Sequence, residues 1–187
     1  TIADIISNKG PIDILINNAA NDTRHKIDDV TEEYWNERIN VNLRHFFFTV
    51  QSVKKSMIDN GGGAIINISS DLGLIAPDQR LYEIPSNSKG EQPVKPITYS
   101  VIKTGLIGMT RYLATYWPGQ VRCNVLCPGG VGKGLPTEFI EKVITRIPMH
   151  RMAESGDYQG ALIFLLSDAS KYMNGAIIPL DGGRTIW

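Results

Sequence analysis

The sequence holds only two cysteines and three histidines in 187 residues, and no apolar run approaches a membrane-spanning length of about 18. That absence excludes a membrane span of the usual helical kind. The opening residues, Thr1-Ile2-Ala3, fall inside a helical pattern and are read as carrying no basic-then-apolar leader. Excess charge of either sign is missing as well: Lys plus Arg and Asp plus Glu number 19 each, for a net charge of +0. A broad basic field for nucleic acid or anionic lipid is therefore excluded, and neither is expected as a partner. Two cysteines are too few for a disulfide framework. Cys123 and Cys127 lie four apart in a strand-like stretch, which puts both on one face as small core residues. No further Cys or His lies close enough in sequence to complete a metal site, and His25, His45 and His150 are scattered. No metal is expected, and the cytoplasm is the expected location. A phosphate loop is also lacking, because neither Ser nor Thr follows Gly132-Lys133.

What is present is ordinary for a globular protein: 42% apolar and 20% charged residues. Four short apolar runs, Ile12–Ile16, Ala64–Ile68, Val121–Leu126 and Ala176–Leu180, alternate with helical patterns. Thr31 is placed to cap a helix reaching about Asp59, in which Ile39, Leu43, Phe46, Phe47, Val50, Val53 and Met57 recur at helical spacing. Further helices are expected over about Thr98 to Trp117, Pro136 to Arg146 and Asp157 to Ser167. Near-continuous apolar strands alternating with helices imply βαβ units and a doubly wound parallel sheet of the α/β class, with both faces covered. The whole chain, 1–187, reads as one domain. Its irregular stretch, 74–97, contains Pro77, Pro85, Pro93 and Pro96.

Ligands of open parallel sheets bind beyond the carboxyl ends of the strands. Three runs end there in polar or glycine-rich residues: Asn17-Asn18, Ser69-Ser70 and Pro128-Gly129-Gly130. On the helix that follows, Tyr99 and Lys103 are four apart and share a face. An ammonium beside a phenol favours the phenolate, so the pair predicts a lowered tyrosine pKa and an acid/base group for a hydroxyl proton. A serine at a strand end can hydrogen-bond the same oxygen.

Taken in order, Asn17-Asn18-Ala19-Ala20, Asn42 in the long helix, Ile68-Ser69-Ser70, Tyr99-x-x-x-Lys103, Pro128-Gly129 and Asp181-Gly182-Gly183 resemble the short-chain dehydrogenase/reductase family. The resemblance covers essentially the whole chain. It implies a Rossmann-type fold, NAD or NADP as cofactor, and interconversion of a secondary alcohol and a ketone by hydride transfer. Position by position, Tyr99 resembles the acid/base and Lys103 the lysine that tunes it and holds the nicotinamide ribose. Ser70, rather than Ser69, resembles the serine that orients the substrate oxygen. Asn42, rather than Asn40, resembles the asparagine that holds a relay water to the lysine. Asn17, Ala19 and Ala20 match the segment lining the adenosine side of the cofactor. Pro128, Gly129 and Val131 match the stretch facing the nicotinamide. The resemblance further implies a homo-oligomer, dimer or tetramer, with the Phe46-Phe47-Phe48 helix and the Tyr99 helix packed against a twin subunit.

Two departures accompany it. Gly130-Val131-Gly132-Lys133-Gly134 stands where the family often has a phosphate-touching threonine, and no glycine-rich turn precedes Asn17. The domain is therefore expected to lack the family's N-terminal strands. The Pro-rich insertion is similar to that of sugar-nucleotide-modifying members and of bacterial oxidoreductases linked to surface-sugar or flagellin modification. Arg80, Tyr82 and Lys95 are its candidates for contact with a sugar or its phosphate. Alternatives to a dehydrogenase are a sugar-nucleotide epimerase or dehydratase using the same tyrosine, and a catalytically inactive member.

Overall fold

The computed structural model describes residues 1–83 and 93–187, so Pro85 and Glu91-Gln92 of the Pro-rich run lie outside the described residues. Four strands form one sheet: β1 (Ile14–Asn17), β2 (Gly63–Ile68), β3 (Val121–Pro128) and β4 (Ile177–Leu180). Their order is β1-β2-β3-β4 and each neighbouring pair is parallel. Asn17 lies opposite Asn67, Asn67 opposite Val125, and Val125 opposite Ile177. This register brings the carboxyl ends of β1, β2 and β3 to one edge.

Residues alternate faces along each strand, and helices cover both sides. Ile65, Val121 and Cys123 pack against Val50, Val53 and Met57 of α3 (His45–Asp59) and Leu113 of α4 (Ile97–Tyr116), with Ile2 of α1 (Ile2–Lys9) partly buried against them. On the other face Ile66 and Leu126 meet Leu165 of α6 (Gln159–Leu166). Burial on both faces is why β2 and β3 are apolar over most of their length, whereas Ile14 and Ile16 of β1 are exposed, and the doubly wound α/β expectation holds. Cys123 and Cys127 are free thiols inside the core, as their spacing predicts.

The helix expected from Thr31 to about Asp59 carries a defect. Thr31 caps α2 (Glu32–Ile39) by accepting the Tyr34 N–H, but a π-helical turn, Asn40–Arg44, separates α2 from α3. A π turn widens the helix and leaves a carbonyl of the preceding turn without its usual donor. Here the Asn42 side chain supplies one, its Nδ2 donating to the Arg38 carbonyl at 2.9 Å. Asn42 is buried and Asn40 exposed, which separates the two candidates.

The stretch 74–83 is not wholly irregular. Gln79–Tyr82 form a 3-10 turn, and Leu81 and Tyr82 pack with Val143 of α5 (Thr137–Ile144), Ile147 and Met152. This cluster, separate from the sheet core, becomes one wall of the site.

Candidate active site

A tight turn follows β2. Ser70 caps the 3-10 turn Asp71–Gly73 by accepting the Leu72 N–H at 3.2 Å. The turn presses against α4: the Ser69 hydroxyl donates to the Lys103 carbonyl at 2.7 Å. A Cβ on Gly73 would stand 2.6 Å from Ser69 Oγ and 2.9 Å from the Lys103 carbonyl oxygen, so only glycine fits the approach. Ser69 is thus occupied in joining the turn to the helix. Both serines border a cavity, but the Ser70 hydroxyl is not tied to α4.

That cavity, of about 220 Å³, is lined by Ser70, Asp71, Tyr82, Lys95, Tyr99, Pro128, Gly129 and Arg184, with Arg24. A larger cleft of about 780 Å³ opens on the outer side of the 72–79 segment, with none of Ser70, Tyr99 or Lys103 in its lining. The chemistry, not the size, identifies the smaller one. Its floor is a buried ion pair: Arg184 Nη1 donates to Asp71 Oδ2 at 2.7 Å, and the Ser70 hydroxyl donates to Asp71 Oδ1 at 2.8 Å. Arg184 is delivered by the turn after β4, where the Asp181 carboxylate accepts the N–H groups of Gly183 and Thr185. Gly182 and Gly183 adopt positive φ of 67° and 89° there, a conformation open to glycine.

Tyr99 and Lys103 share one face of α4 as the spacing predicts, but the electrostatics differ from the sequence expectation. Burial pushes the Tyr99 phenol up to about 12, opposed by a hydrogen bond with Ser70 and reinforced by the Asp71 and Asp22 charges. Lys103 is pulled down to about 8 by burial and by the neighbouring Lys95 ammonium. Its Nζ donates to the Ile68 carbonyl at 2.9 Å and lies 5.6 Å from the Tyr99 ring centroid. The expected lowering of the Tyr99 pKa by Lys103 is therefore corrected. Desolvation of the phenol outweighs an ammonium directed at a strand end. Lys95 is the closer cation, with Nζ 3.4 Å from the same centroid.

Asn42 is engaged elsewhere. Its Oδ1 accepts the Asn21 N–H at 2.9 Å, and Arg38 also donates to the Asn21 side chain. Tyr34 Oη donates to the Thr23 carbonyl at 2.7 Å. Asn42 and Tyr34 together pin the loop after β1, which carries Asp22 and Arg24. No bond joins Asn42 to Lys103 among the described residues. Asn17 is buried, its Nδ2 donating to Asn67 Oδ1 at 2.9 Å, and Asn67 in turn donates to Thr110 of α4. Ala19 and Ala20 stand exposed at the edge. Arg80, a candidate sugar contact, points away and pairs with Asp78 at 2.8 Å, whereas Tyr82 and Lys95 do line the cavity. Sequence reasoning missed Asp71, Arg184, Asp22 and Arg24. The available signal was adjacency, since Asp71 and Arg184 each border a motif and the other two lie just beyond Ala20.

The residues at this edge fit a nicotinamide nucleotide. Val131 bridges Ala153 through bonds made by Gly130 and Gly132, so its own N–H and carbonyl stay open toward a carboxamide. The Lys103 ammonium has three protons and donates one to Ile68, leaving donors for ribose hydroxyls. Tyr158 donates to the Gly129 carbonyl at 2.7 Å and holds the Pro128-Gly129 stretch in place.

A parallel sheet with a tyrosine, a lysine and a serine gathered at the carboxyl ends of its strands defines a Rossmann-type oxidoreductase site. The family model described as enoyl-(acyl carrier protein) reductase matches residues 1–185. A D-xylose 1-dehydrogenase of Caulobacter vibrioides is 43% identical over 191 residues, covering 97% of this chain and 69% of that protein. The probable galactose dehydrogenase GalD of Rhizobium meliloti is 35% identical over 187 residues, covering 96% and 67%. Among solved structures, a Leptospira borgpetersenii short chain dehydrogenase with bound NAD+ superposes with a TM-score of 0.88 at 32% identity, covering 98% of this chain and 68% of that one. A Burkholderia cenocepacia gluconate 5-dehydrogenase in complex with NADP and tartrate gives 0.86 at 28%, covering 100% and 69%. The chain belongs to the short-chain dehydrogenase/reductase family, whose members are NAD(P)-dependent oxidoreductases acting on CH–OH groups. It spans about two thirds of the length of these relatives.

Proposed function

We propose that this chain interconverts a secondary alcohol and a ketone on a small sugar-derived substrate, with NAD or NADP held by Asn17, Ala19, Ala20, Tyr99, Lys103, Pro128, Gly129 and Val131. The observation that carries the reading is the shared cavity: Ser70 and Tyr99 line it together, with Lys103 one helical turn beyond Tyr99. When bound, the nicotinamide supplies or accepts the hydride. Tyr99, protonated near neutral pH in this structure, donates its Oη proton to the ketone oxygen and takes it back in the reverse direction. Ser70 exchanges Asp71 for the substrate oxygen and orients it. Lys103 would hold the ribose of the bound nucleotide and offers positive charge behind Tyr99. Asn42 acts through the loop it anchors. The sugar dehydrogenases among the relatives support net oxidation or reduction rather than an internally recycled cofactor.

The test is Tyr99→Phe in the full-length protein, assayed with D-xylose, D-galactose and D-gluconate by the change in NAD(P)H absorbance. Turnover is expected to vanish while the circular dichroism spectrum stays unchanged; a turnover number within tenfold of wild type refutes the assignment.

The same reading takes the protein as a cytoplasmic homo-oligomer. Both thiols are reduced and buried, and Phe47, Phe48, Tyr112 and Tyr116 of α3 and α4 are exposed, an apolar surface that a second copy covers. Sedimentation should give a dimer or tetramer that Tyr112→Glu weakens, and a monomer at micromolar concentration rejects the interface. Recovery of the native protein outside the cytosolic fraction rejects the location.

A further inference from the structure

The cation nearest the Tyr99 ring is not the one four residues along the helix. Lys95 precedes Pro96, which biases its backbone toward an extended conformation and keeps it outside α4. Gln79 then clamps that backbone from both sides: the Lys95 N–H donates to Gln79 Oε1 at 3.0 Å, and Gln79 Nε2 donates to the Lys95 carbonyl at 2.9 Å. The side chain is 12% exposed, and its ammonium donates to Asp22 Oδ2 at 2.8 Å. So held, Nζ stands 3.4 Å from the Tyr99 centroid, against 5.6 Å for Lys103.

We propose that Lys95 is a positioning residue that shares with Lys103 the stabilisation of the Tyr99 phenolate, and that Asp22 limits its effect. The inference rests on the reading of Tyr99 as the acid/base group. A cation over a neutral phenol gains only the ring quadrupole, whereas over a phenolate it gains the full opposite charge. Its presence therefore favours loss of the proton. Burial pulls the Lys95 pKa down, and Asp22 works both ways: its carboxylate opposes that loss of charge on the ammonium and also opposes a second negative charge at Tyr99.

The groups facing Tyr99 come from every surrounding element. Asp22 and Arg24 come from the loop after β1, Ser70 and Asp71 from the turn after β2, and Tyr82 from the 79–82 turn. Lys95 precedes α4, Lys103 lies on it with Cys127 of β3 beside it, and Arg184 comes from the turn after β4. Asp71 is already paired with Arg184, and the Cys127 thiol is held neutral by burial. Lys95 is the cation in contact with the ring.

The test reads Tyr99 directly. Difluorotyrosine, a more acidic phenol, is placed at position 99 of the full-length protein and titrated by its ¹⁹F chemical shift. Lys95→Met should raise the midpoint by about one pH unit, Lys95→Arg should leave it near the parent value, and Asp22→Asn should lower it. An unmoved or lowered midpoint in Lys95→Met overturns the inference, as does a Lys95→Arg shift as large as that of Met. If Lys95→Met does not fold, Asp22→Asn decides alone, and an unmoved or raised midpoint there overturns it. Failure of the acid/base reading shows separately, as retained turnover in Tyr99→Phe.

Discussion

Replacing Arg184 by Met removes one half of the buried ion pair beneath the site. The side chains of Asp71 and Arg184 are 3% and 11% exposed, and their contact is 2.7 Å. Without the guanidinium, Asp71 keeps the Ser70 hydroxyl and the Leu72 N–H, both on Oδ1, and Oδ2 loses its donor. Breaking such a pair from one side costs about 3 to 5 kcal/mol. The lower figure applies here, because the Arg184 side chain retains some exposure. A loss of about 3 kcal/mol lowers the melting temperature by roughly 6 to 12 °C for a chain of this size. The measurement is thermal unfolding by circular dichroism for the wild type, Arg184→Met, Asp71→Asn and the double variant. Asp71→Asn keeps the oxygen that accepts from Ser70 and Leu72 but leaves the arginine without its carboxylate. The double variant, with no unpaired charge, should be more stable than the sum of the single losses predicts by at least about 1 kcal/mol. A melting temperature for Arg184→Met within 2 °C of wild type, or strictly additive losses, refutes the argument that the pair is desolvated and mutually dependent.

Gly73→Ala should destabilise by about 1 to 3 kcal/mol, since the new methyl meets Ser69 Oγ and the Lys103 carbonyl at less than 3.0 Å. Gly73→Ala combined with Ser69→Ala should recover part of that loss in the same melting assay, and no recovery rejects the contact as the cause. Lys103 predicts a pH dependence. Its folded pKa of about 8 lies below the ordinary lysine value of 10.5, so the unfolded chain binds the extra proton between those values and stability rises with pH across that window. The stability difference between wild type and Lys103→Met should therefore shift in favour of wild type from pH 8 to 10.5. Taking the difference removes the opposing effects of Tyr99 and Cys123, whose raised pKa values weaken the fold at high pH. A difference that is flat across this range in urea titrations rejects the shifted lysine.

Much of the fold was legible in the order of residues because strand burial writes itself into composition. Ile65 and Ile66 face opposite sides of the sheet and both are fully buried, and the one polar residue of the run, Asn67, is buried with its amide bonded to Asn17 and Thr110. The candidate site was legible where residues are fixed by a local spacing. Tyr99 and Lys103 share a face of one helix, and Ser70 caps a turn at a strand end. The π turn at Asn42 escaped, because its helical periodicity continues on both sides and the widened turn alters hydrogen bonding rather than side-chain type.

The sequence alone settled the α/β class, the parallel sheet and the buried thiols, and it singled out Ser70, Tyr99 and Lys103 as candidates. It did so because periodicity, capping and turn composition are local properties. The tertiary structure alone decided which charges meet. Asp71 and Arg184 are 113 positions apart, and Lys95 and Asp22 are 73 apart. No spacing rule joins such pairs. They are brought together by the convergence of three strand ends, a pinned loop and a glycine turn on one small volume. Within it, burial and geometry, rather than residue identity, determine that Lys95 stands closer to the tyrosine than Lys103 does.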